Sequence, residues 1–176
     1  MPTLGWNELV EVMATRKFAD LLFEGAFHMS NGIRCFLPSA TPVYLEFADH
    51  GLLKLSSDDS GRLAFSLVDA PTWDSFGDDW DDMDSVGVVS MHHTYFGESP
   101  AAQCEILRCA FASSREKEDG PVLAAEMTFS GRHRVVVDPS WPAGMRVLAG
   151  PELESVLAFH WNQDVKSVRT WRRATG

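Results

Sequence analysis

The sequence has no lysine or arginine between Arg62 and Arg108, and that interval holds nine of the chain's 25 acidic residues. The whole chain carries a net charge of −10. A protein with this charge repels nucleic acid and anionic membranes on average, and it attracts basic partners. We therefore expect a basic protein as partner, and we expect neither direct nucleic-acid binding nor membrane binding.

Cysteine and long apolar runs are also scarce. Cys35, Cys104 and Cys109 form no C-x-x-C motif, and we interpret all three as small core residues in a reducing compartment. No stretch approaches 18 consecutive apolar residues, and no signal-peptide pattern opens the sequence. These absences predict a cytoplasmic protein. With 176 residues, 45% of them apolar, the chain suits one globular domain, residues 1–176.

The motifs that mark catalysis or phosphate binding are missing. The sequence contains no G-x-S-x-G, G-x-x-x-x-G-K-[ST] or G-x-G-x-x-G. His92 and His93, if they lie on a strand, would point to opposite faces and could not share one metal ion. Cys104 and Cys109, five residues apart in a predicted strand, would also face opposite sides. We therefore expect no cofactor, no metal site and no enzymatic activity.

An acidic–aromatic loop, residues 69–85, is the most unusual feature of the sequence. An EF-hand calcium loop does not fit it, because the best register starts at Asp82 and places Val86 at position 5 and His93 at position 12. A loop that only needed to be solvated would have little use for large rings. Trp73 and Trp80 could pin the loop to its own core, but such rings also commonly anchor protein interfaces, and we favour the interface. The predicted partner-binding residues are Trp73, Asp74, Phe76, Asp78, Asp79, Trp80, Asp81, Asp82 and Asp84.

Hydrophobic periodicity predicts the secondary structure. Apolar residues at three- and four-residue spacing predict a helix from Asn7 to Phe23, and Gly150-Pro151 predicts the start of a second helix near the C-terminus. Alternating residues and turn motifs predict antiparallel strands at 43–47, 52–56, 62–68, 86–91, 103–112, 122–129, 134–138 and 145–148. The segment around Val165, Val168 and Trp171 suits either a short helix or an edge strand. Trp141 is expected to pack at a tight corner after the strand at 134–138.

These elements predict an α+β domain. It should contain a mainly antiparallel sheet of about six to eight strands, with the N-terminal helix and the C-terminal helix packed on it. The C-terminal end is basic, since Lys166, Arg169, Arg172 and Arg173 follow the last acid, Asp164.

This combination of size, acidity and absent chemistry is similar in physical profile to immunity proteins that neutralise nuclease toxins, and to phage-type inhibitors of nucleic-acid-handling machines. We therefore expect a binding or inhibitor protein whose loop imitates nucleic acid on a basic surface of its partner. One alternative is a small-ligand-binding domain or enzyme with a pocket near His92 and His93. A second is a structural subunit that forms a homo-oligomer through the acidic loop and the basic C-terminus.

Overall fold

A computed structural model describes residues 2–58, 61–72, 85–98, 101–112, 121–141, 144–150, 153–158 and 165–174. Within these residues there are ten strands, three α-helices and a 3₁₀ turn. In chain order they are α1 (Trp6–Thr15), β1 (Lys17–Ser30), β2 (Ile33–Phe47), β3 (Leu52–Ser57), β4 (Leu63–Val68), β5 (Ser85–Ser90), α2 (His92–Tyr95), β6 (Ala102–Phe111), β7 (Val122–Phe129), the 3₁₀ turn (Ser130–Arg132), β8 (His133–Trp141), β9 (Gly144–Ala149), α3 (Leu153–Leu157) and β10 (Ser167–Arg172).

The strands form one antiparallel sheet folded into two layers. The first layer has the order β5-β1-β2-β3-β4, and the second has the order β10-β6-β7-β8-β9. Two short corners join them. At one corner β1 pairs with β6 through Lys17 and Phe18, and at the other β4 pairs with β7 through Leu63 and Val122.

The main core lies between the layers, where apolar side chains from both layers pack in one cluster. Helix α1 adds the buried Leu9 and Met13 to this cluster, and α2 together with the residue after it adds Tyr95 and Phe96. Smaller apolar clusters lie on the outer faces. The cluster on the outer face of the second layer includes residues of α3, which covers it. The cluster on the outer face of the first layer is formed around Tyr44. Burying one fully apolar side chain contributes roughly 1.5–3 kcal/mol, so the inner cluster dominates the stability.

The prediction of a helix from Asn7 to Phe23 is wrong in its second half. Helix α1 ends at Thr15 and β1 begins at Lys17. In β1, Phe18 and Leu21 are both fully buried in the inner core although they are three residues apart. An irregularity in the pairing with β2 between Phe18 and Asp20 allows this, because an extra residue shifts the alternation of side chains. Because of this bulge, buried residues of β1 have a three-residue spacing, which is also the spacing expected on one face of a helix.

The C-terminal prediction is corrected as well. The second helix is only α3, which packs on the outer face of the second layer, while residues 159–164 lie outside the described residues. The ambiguous segment that follows is strand β10, on the edge of β6. Just after β10, the guanidinium of Arg173 donates to the carbonyl oxygens of Cys104 (3.1 Å) and Met13 (3.2 Å). The end of β10 is thus tied to the start of β6 and to α1.

The α+β class with a mainly antiparallel sheet is confirmed, but the count of six to eight strands is too low. The eight predicted strand regions correspond to β2–β9, and the two additional strands are β1 and β10. Helix α1 contributes to the space between the layers, so the two helices do not pack together on one sheet face. No helix within the described ranges is both long and apolar enough to cross a membrane.

Candidate functional site

The nine predicted partner-binding residues all lie in 73–84, outside the described residues. The structure does describe both ends of the acidic–aromatic loop, at 69–72 and at Ser85, and the strand β5 that follows. The loop begins at the outer face of the first layer, beside Tyr44, and it ends at the edge strand β5.

The N-terminal end of the loop is anchored on two buried side chains. Glu24 on β1 and Tyr44 on β2 have no exposed surface, and the Tyr44 hydroxyl donates a hydrogen bond to the Glu24 carboxylate. The Tyr44 oxygen in turn accepts the backbone N–H of Thr72 at 3.0 Å. Lys54 on β3 donates to the Thr72 hydroxyl at 2.7 Å. The chain is therefore fixed to three strands at the residue before Trp73.

Burial, followed by the hydrogen bond to Glu24, raises the pKa of Tyr44. The phenol therefore stays protonated over the whole physiological range and can serve as a permanent donor to the carboxylate. An isolated buried carboxylate would be costly, since its desolvation needs compensation by hydrogen bonds. The Glu24–Tyr44–Thr72 chain is thus a structural anchor rather than an acid–base pair.

The C-terminal end of the loop is anchored on the hairpin of β1 and β2. Arg34 donates from Nη2 to the Ser85 hydroxyl at 2.9 Å, and its guanidinium lies 4.3 Å from the centre of the Phe27 ring. The Phe27 ring also covers Gly87, where an added Cβ would meet ring atom Cε2 at 2.9 Å. Only glycine allows the ring to lie so close to β5 without a shift. This packing fixes where β5 starts.

The two anchors are close together compared with the length of chain between them. Glu24 at the first anchor and Phe27 at the second are three residues apart on β1, which corresponds to roughly 10 Å. The twelve residues 73–84 could span about 40 Å if extended. A simple connection between Thr72 and Ser85 would therefore need far fewer residues.

Exposed apolar side chains lie beside this loop. On β5, Val86 is 46% exposed and Val88 is 37% exposed. At the tip of the hairpin, Met29 is 57% exposed and Ile33 is 66% exposed. A partner that contacts the loop would find apolar side chains to bury on both neighbouring elements, and apolar burial supplies most of the energy at interfaces.

The histidines are placed differently from the prediction. His92 and His93 lie in helix α2 and not on a strand, with their rings 5.6 Å apart. Nδ1 of His92 is 2.6 Å from the carbonyl oxygen of Ala19, and its ring packs on Phe96. These contacts give His92 a structural role. Among the described residues, no three His, Cys, Asp or Glu side chains come together as a metal site would require.

The cysteine predictions are wrong in two respects. Cys104 and Cys109 both face the inner core, because a pairing irregularity between Cys104 and Ile106 shifts the alternation by one residue. Burial raises the pKa of Cys104 to about 12 and raises that of Cys109 further, so neither thiol is a ready nucleophile. Cys35 is not a core residue, since it lies half-buried on the hairpin.

A cavity of about 620 Å³ lies elsewhere, against α1. It is lined in part by Leu4, Trp6, Phe65, Phe111 and Val122, and none of the histidines in the described part of the chain lines it. Trp6 and Phe111 meet edge to face with their ring centres 6.0 Å apart. The alternative of a pocket near His92 and His93 therefore gains no support from this cavity. Trp141 ends β8, and the position of its side chain lies outside the described residues.

Sequence reasoning missed the residues that hold the loop, namely Glu24, Tyr44, Lys54, Thr72 and Arg34. One signal could have revealed the first: a glutamate within the apolar run of 21–27 is unusual unless its carboxylate has a partner. The other four come together only through strand register, which the sequence does not display. No family model, no curated protein and no solved structure matches this chain.

Proposed function

We propose that this protein is a small, acidic, non-enzymatic binding protein that docks on a basic surface of a partner protein. The proposed contact residues are the aspartates and aromatic residues of the acidic–aromatic loop. One observation carries the proposal. Both ends of this long loop are anchored within a short distance on the first layer, directly beside an edge strand with exposed valines.

The charge of the loop supports a basic partner. Six aspartates lie between Trp73 and Ser85, and the nearest described bases, Lys54 and Arg34, lie at its two anchors. Lys54 donates to the Thr72 hydroxyl and Arg34 to the Ser85 hydroxyl, and these two bases are outnumbered by the six aspartates. The excess negative charge would then attract a positively charged surface over about a Debye length, roughly 8–10 Å in ordinary buffers.

The aromatic and apolar residues support tight binding rather than a weak charge contact. Exposed charge pairs contribute little to affinity, whereas buried rings and aliphatic side chains anchor interfaces. Trp73, Phe76 and Trp80 would provide such anchors, and the exposed Val86 and Val88 would extend the apolar area. The aspartates would set the rate and orientation of approach.

The partner class follows from the same chemistry. A cleft that binds nucleic acid presents basic side chains for phosphates and apolar or aromatic surfaces for bases. Carboxylates interleaved with rings offer a similar pattern to such a cleft. We therefore propose a nuclease toxin or another nucleic-acid-handling protein as partner, with this protein as its inhibitor.

The test replaces Asp78, Asp79, Asp81 and Asp82 by Asn and compares capture from the native host lysate at low and moderate salt. We expect the captured partner to be lost or strongly depleted with the variant. For the purified partner, the association rate constant should fall about tenfold or more at low salt, and salt should lower the wild-type rate in the same direction.

A matched control replaces Glu11, Glu98, Glu105 and Glu118 by Gln, which removes the same number of charges outside residues 69–85. This control should still capture the partner. If the Asp→Asn variant captures it as well as the wild type does, the proposed interface is wrong. If both variants lose it equally, net charge alone is responsible and the loop is not the site.

A further inference from the structure

Strand β5 presents backbone hydrogen-bonding groups on the side away from β1. The backbone N–H of Met91, directly after β5, donates to the carbonyl of Leu21 at 2.8 Å. In an antiparallel pair, residues alternate between those bonded to the partner strand and those whose N–H and C=O point away. Counting back from Met91 along the register, the backbone N–H and C=O groups of Val86, Val88 and Ser90 point away from β1. Within the described residues, β5 pairs only with β1.

The sequence of β5 does nothing to protect this edge. Its six residues, SVGVVS, include no charged residue and no proline, and the side chains of Val86 and Val88 are exposed. Natural proteins usually protect an edge strand with lysine, proline, a bulge or a covering segment. An unprotected, valine-rich edge is suited to accept another strand.

Strand β10 has the same arrangement. Directly after it, the backbone N–H of Arg173 donates to the carbonyl of Glu105 at 2.8 Å. By the same alternation, Val168, Thr170 and Arg172 direct their backbone groups away from β6. Val168 is 41% exposed, and β10 pairs only with β6 in the described part of the chain.

We propose that β5 of one copy pairs edge to edge with β10 of a second copy. Charge selects this combination. Asp84 and five further aspartates precede β5, whereas Lys166, Arg169, Arg172 and Arg173 lie in or beside β10. Pairing β5 with β5 would bring two acidic loops together, and pairing β10 with β10 would bring two basic strands together. Only the unlike pair is attractive.

An antiparallel register places Val88 opposite Thr170 and Val86 opposite Arg172. Arg172 then lies at the end of β5 where the aspartates begin. The edge of β9 is a poorer match, because Arg146 is the one base among its six residues, whereas four bases lie in or beside β10. Val88 and Thr170 would bring two β-branched side chains together on one face of the joined sheet, which suits cross-strand packing.

This interface is heterologous, so each copy keeps one open edge after pairing. Such contacts build chains of copies or closed rings rather than only symmetric dimers. The inference goes beyond the proposed function and does not depend on it. The two are linked in one respect, since a partner bound to the acidic–aromatic loop would remove the charge that attracts β10.

The test uses two proline variants of the full chain, V88P and T170P. Each removes an N–H that points to the open edge, so neither breaks a hydrogen bond to β1 or β6. Sedimentation velocity at low salt should show concentration-dependent assembly of the wild type, and each variant alone should be monomeric. Mixed in equal amounts, the two should form a dimer that grows no further, because V88P retains β10 and T170P retains β5.

The matched controls V88T and T170V keep the backbone N–H and the β-branched shape, and they should assemble like the wild type. Circular dichroism and thermal unfolding report whether each proline variant is folded. V86P, at the other outward-facing valine, replaces V88P if that variant is unfolded. Moderate salt should weaken assembly by the wild type, since the attraction is between exposed charges.

Three outcomes would overturn the proposal. The wild type could remain monomeric at low salt over about a hundredfold range of concentration. T170P could still assemble while V88P does not, which would indicate a symmetric β5–β5 contact. The two variants could also fail to form a dimer when both are folded and mixed, which would exclude the β5–β10 pair.

Discussion

Each layer of the fold buries one glutamate on its outer face, and the two glutamates are held in different ways. Glu126 on β7 lies among arginines, while Glu24 on β1 accepts a hydrogen bond from a phenol. Glu126 lies where α3 begins, and Glu24 is linked through Tyr44 to Thr72, where the acidic–aromatic loop begins. The chain is thus fixed to the two layers in two different ways.

Glu126 fixes a helix through charge and a backbone hydrogen bond. Its carboxylate lies 3.4 Å from Arg108 and 3.9 Å from Arg134, and it accepts the N–H of Leu153 at 2.8 Å. Arg108 also forms a bidentate ion pair with Glu154 on α3. Around Glu126, two carboxylates thus face two guanidinium groups.

Glu24 is linked to the start of the loop through the phenol of Tyr44. Tyr44 connects the carboxylate to the backbone of Thr72, and Lys54 donates to the Thr72 hydroxyl. An ion pair and a backbone acceptor thus fix α3 at the second layer, whereas a phenol and a backbone N–H fix Thr72 at the first.

The largest expected effect is that of Glu126→Ala. The substitution leaves Arg108 and Arg134 without their shared buried carboxylate and removes the acceptor for the Leu153 N–H. Breaking a buried ion pair in this way typically costs about 3–5 kcal/mol. Urea unfolding should show this decrease in the free energy of unfolding, and thermal unfolding should show a decrease of about 10 °C in Tm.

Glu126→Gln is the control for that experiment, because it keeps an oxygen for Leu153 and removes only the charge. Its free energy of unfolding should lie between that of the wild type and that of Glu126→Ala. If Glu126→Ala is as stable as the wild type, the buried carboxylate of Glu126 does not fix α3 to the second layer.

The second effect is that of Tyr44→Phe, which keeps the ring and removes the hydroxyl. Glu24 loses its phenol donor and Thr72 loses its acceptor, at a cost of about 1–3 kcal/mol. Hydrogen exchange at the Thr72 amide should become faster than in the wild type. Capture of the partner should weaken as well, because the N-terminal end of the loop is no longer held.

Tyr95→Phe provides the comparison for Tyr44→Phe. The Tyr95 hydroxyl donates to the carbonyl of Val147 at 3.2 Å, and neither residue belongs to the two anchors of the loop. Its removal should affect stability but not partner capture. Equal partner capture by both variants and the wild type would show that the anchor does not support the binding site.

The smallest effect is that of Glu154→Gln. Hydrogen bonding by Arg108 lowers the pKa of Glu154 to about 2, from an ordinary value of 4.5. The stability that this pair contributes is therefore present above about pH 4.5 and is lost as the pH falls towards 2. Because the Glu154 side chain is 59% exposed, the contribution should be at most about 1 kcal/mol.

Denaturation curves between pH 2 and pH 7 should show this difference between the wild type and Glu154→Gln only at the upper end of the range. A difference that grows towards low pH would contradict the assignment of the low pKa to Glu154. High salt should reduce the difference near neutral pH, since the pair is accessible to solvent.

The sequence predicted the fold class and eight strand regions because alternation and turn motifs are local features. It failed at β1, where a bulge gave Phe18 and Leu21 a helical spacing, and it left β10 undecided because a short edge strand has little pattern of its own. The same kind of irregularity misled the reading of Cys104 and Cys109. One inserted residue inverts every side chain that follows it.

For the site, the sequence identified a segment rich in aspartate and aromatic residues, but not the residues that anchor it. Glu24, Tyr44 and Thr72 are separated by 20 and 28 positions; the β1–β2 register brings the first two together, and Thr72 reaches Tyr44 from the chain after β4. Pairwise contacts of this kind depend on the tertiary fold. The proposed contact residues themselves remain a prediction from composition.

The tie formed by Arg173 has a consequence for the order in which the protein can be completed during synthesis. β10 emerges from the ribosome after all the other described strands, yet its neighbour β6 is made some sixty residues earlier. Residues 106–111 of β6 therefore acquire their pairing with β10 only when that later segment has been made. Arg173, which follows β10, donates to the carbonyl of Met13, so the latest of the described strands is tied to the earliest described helix.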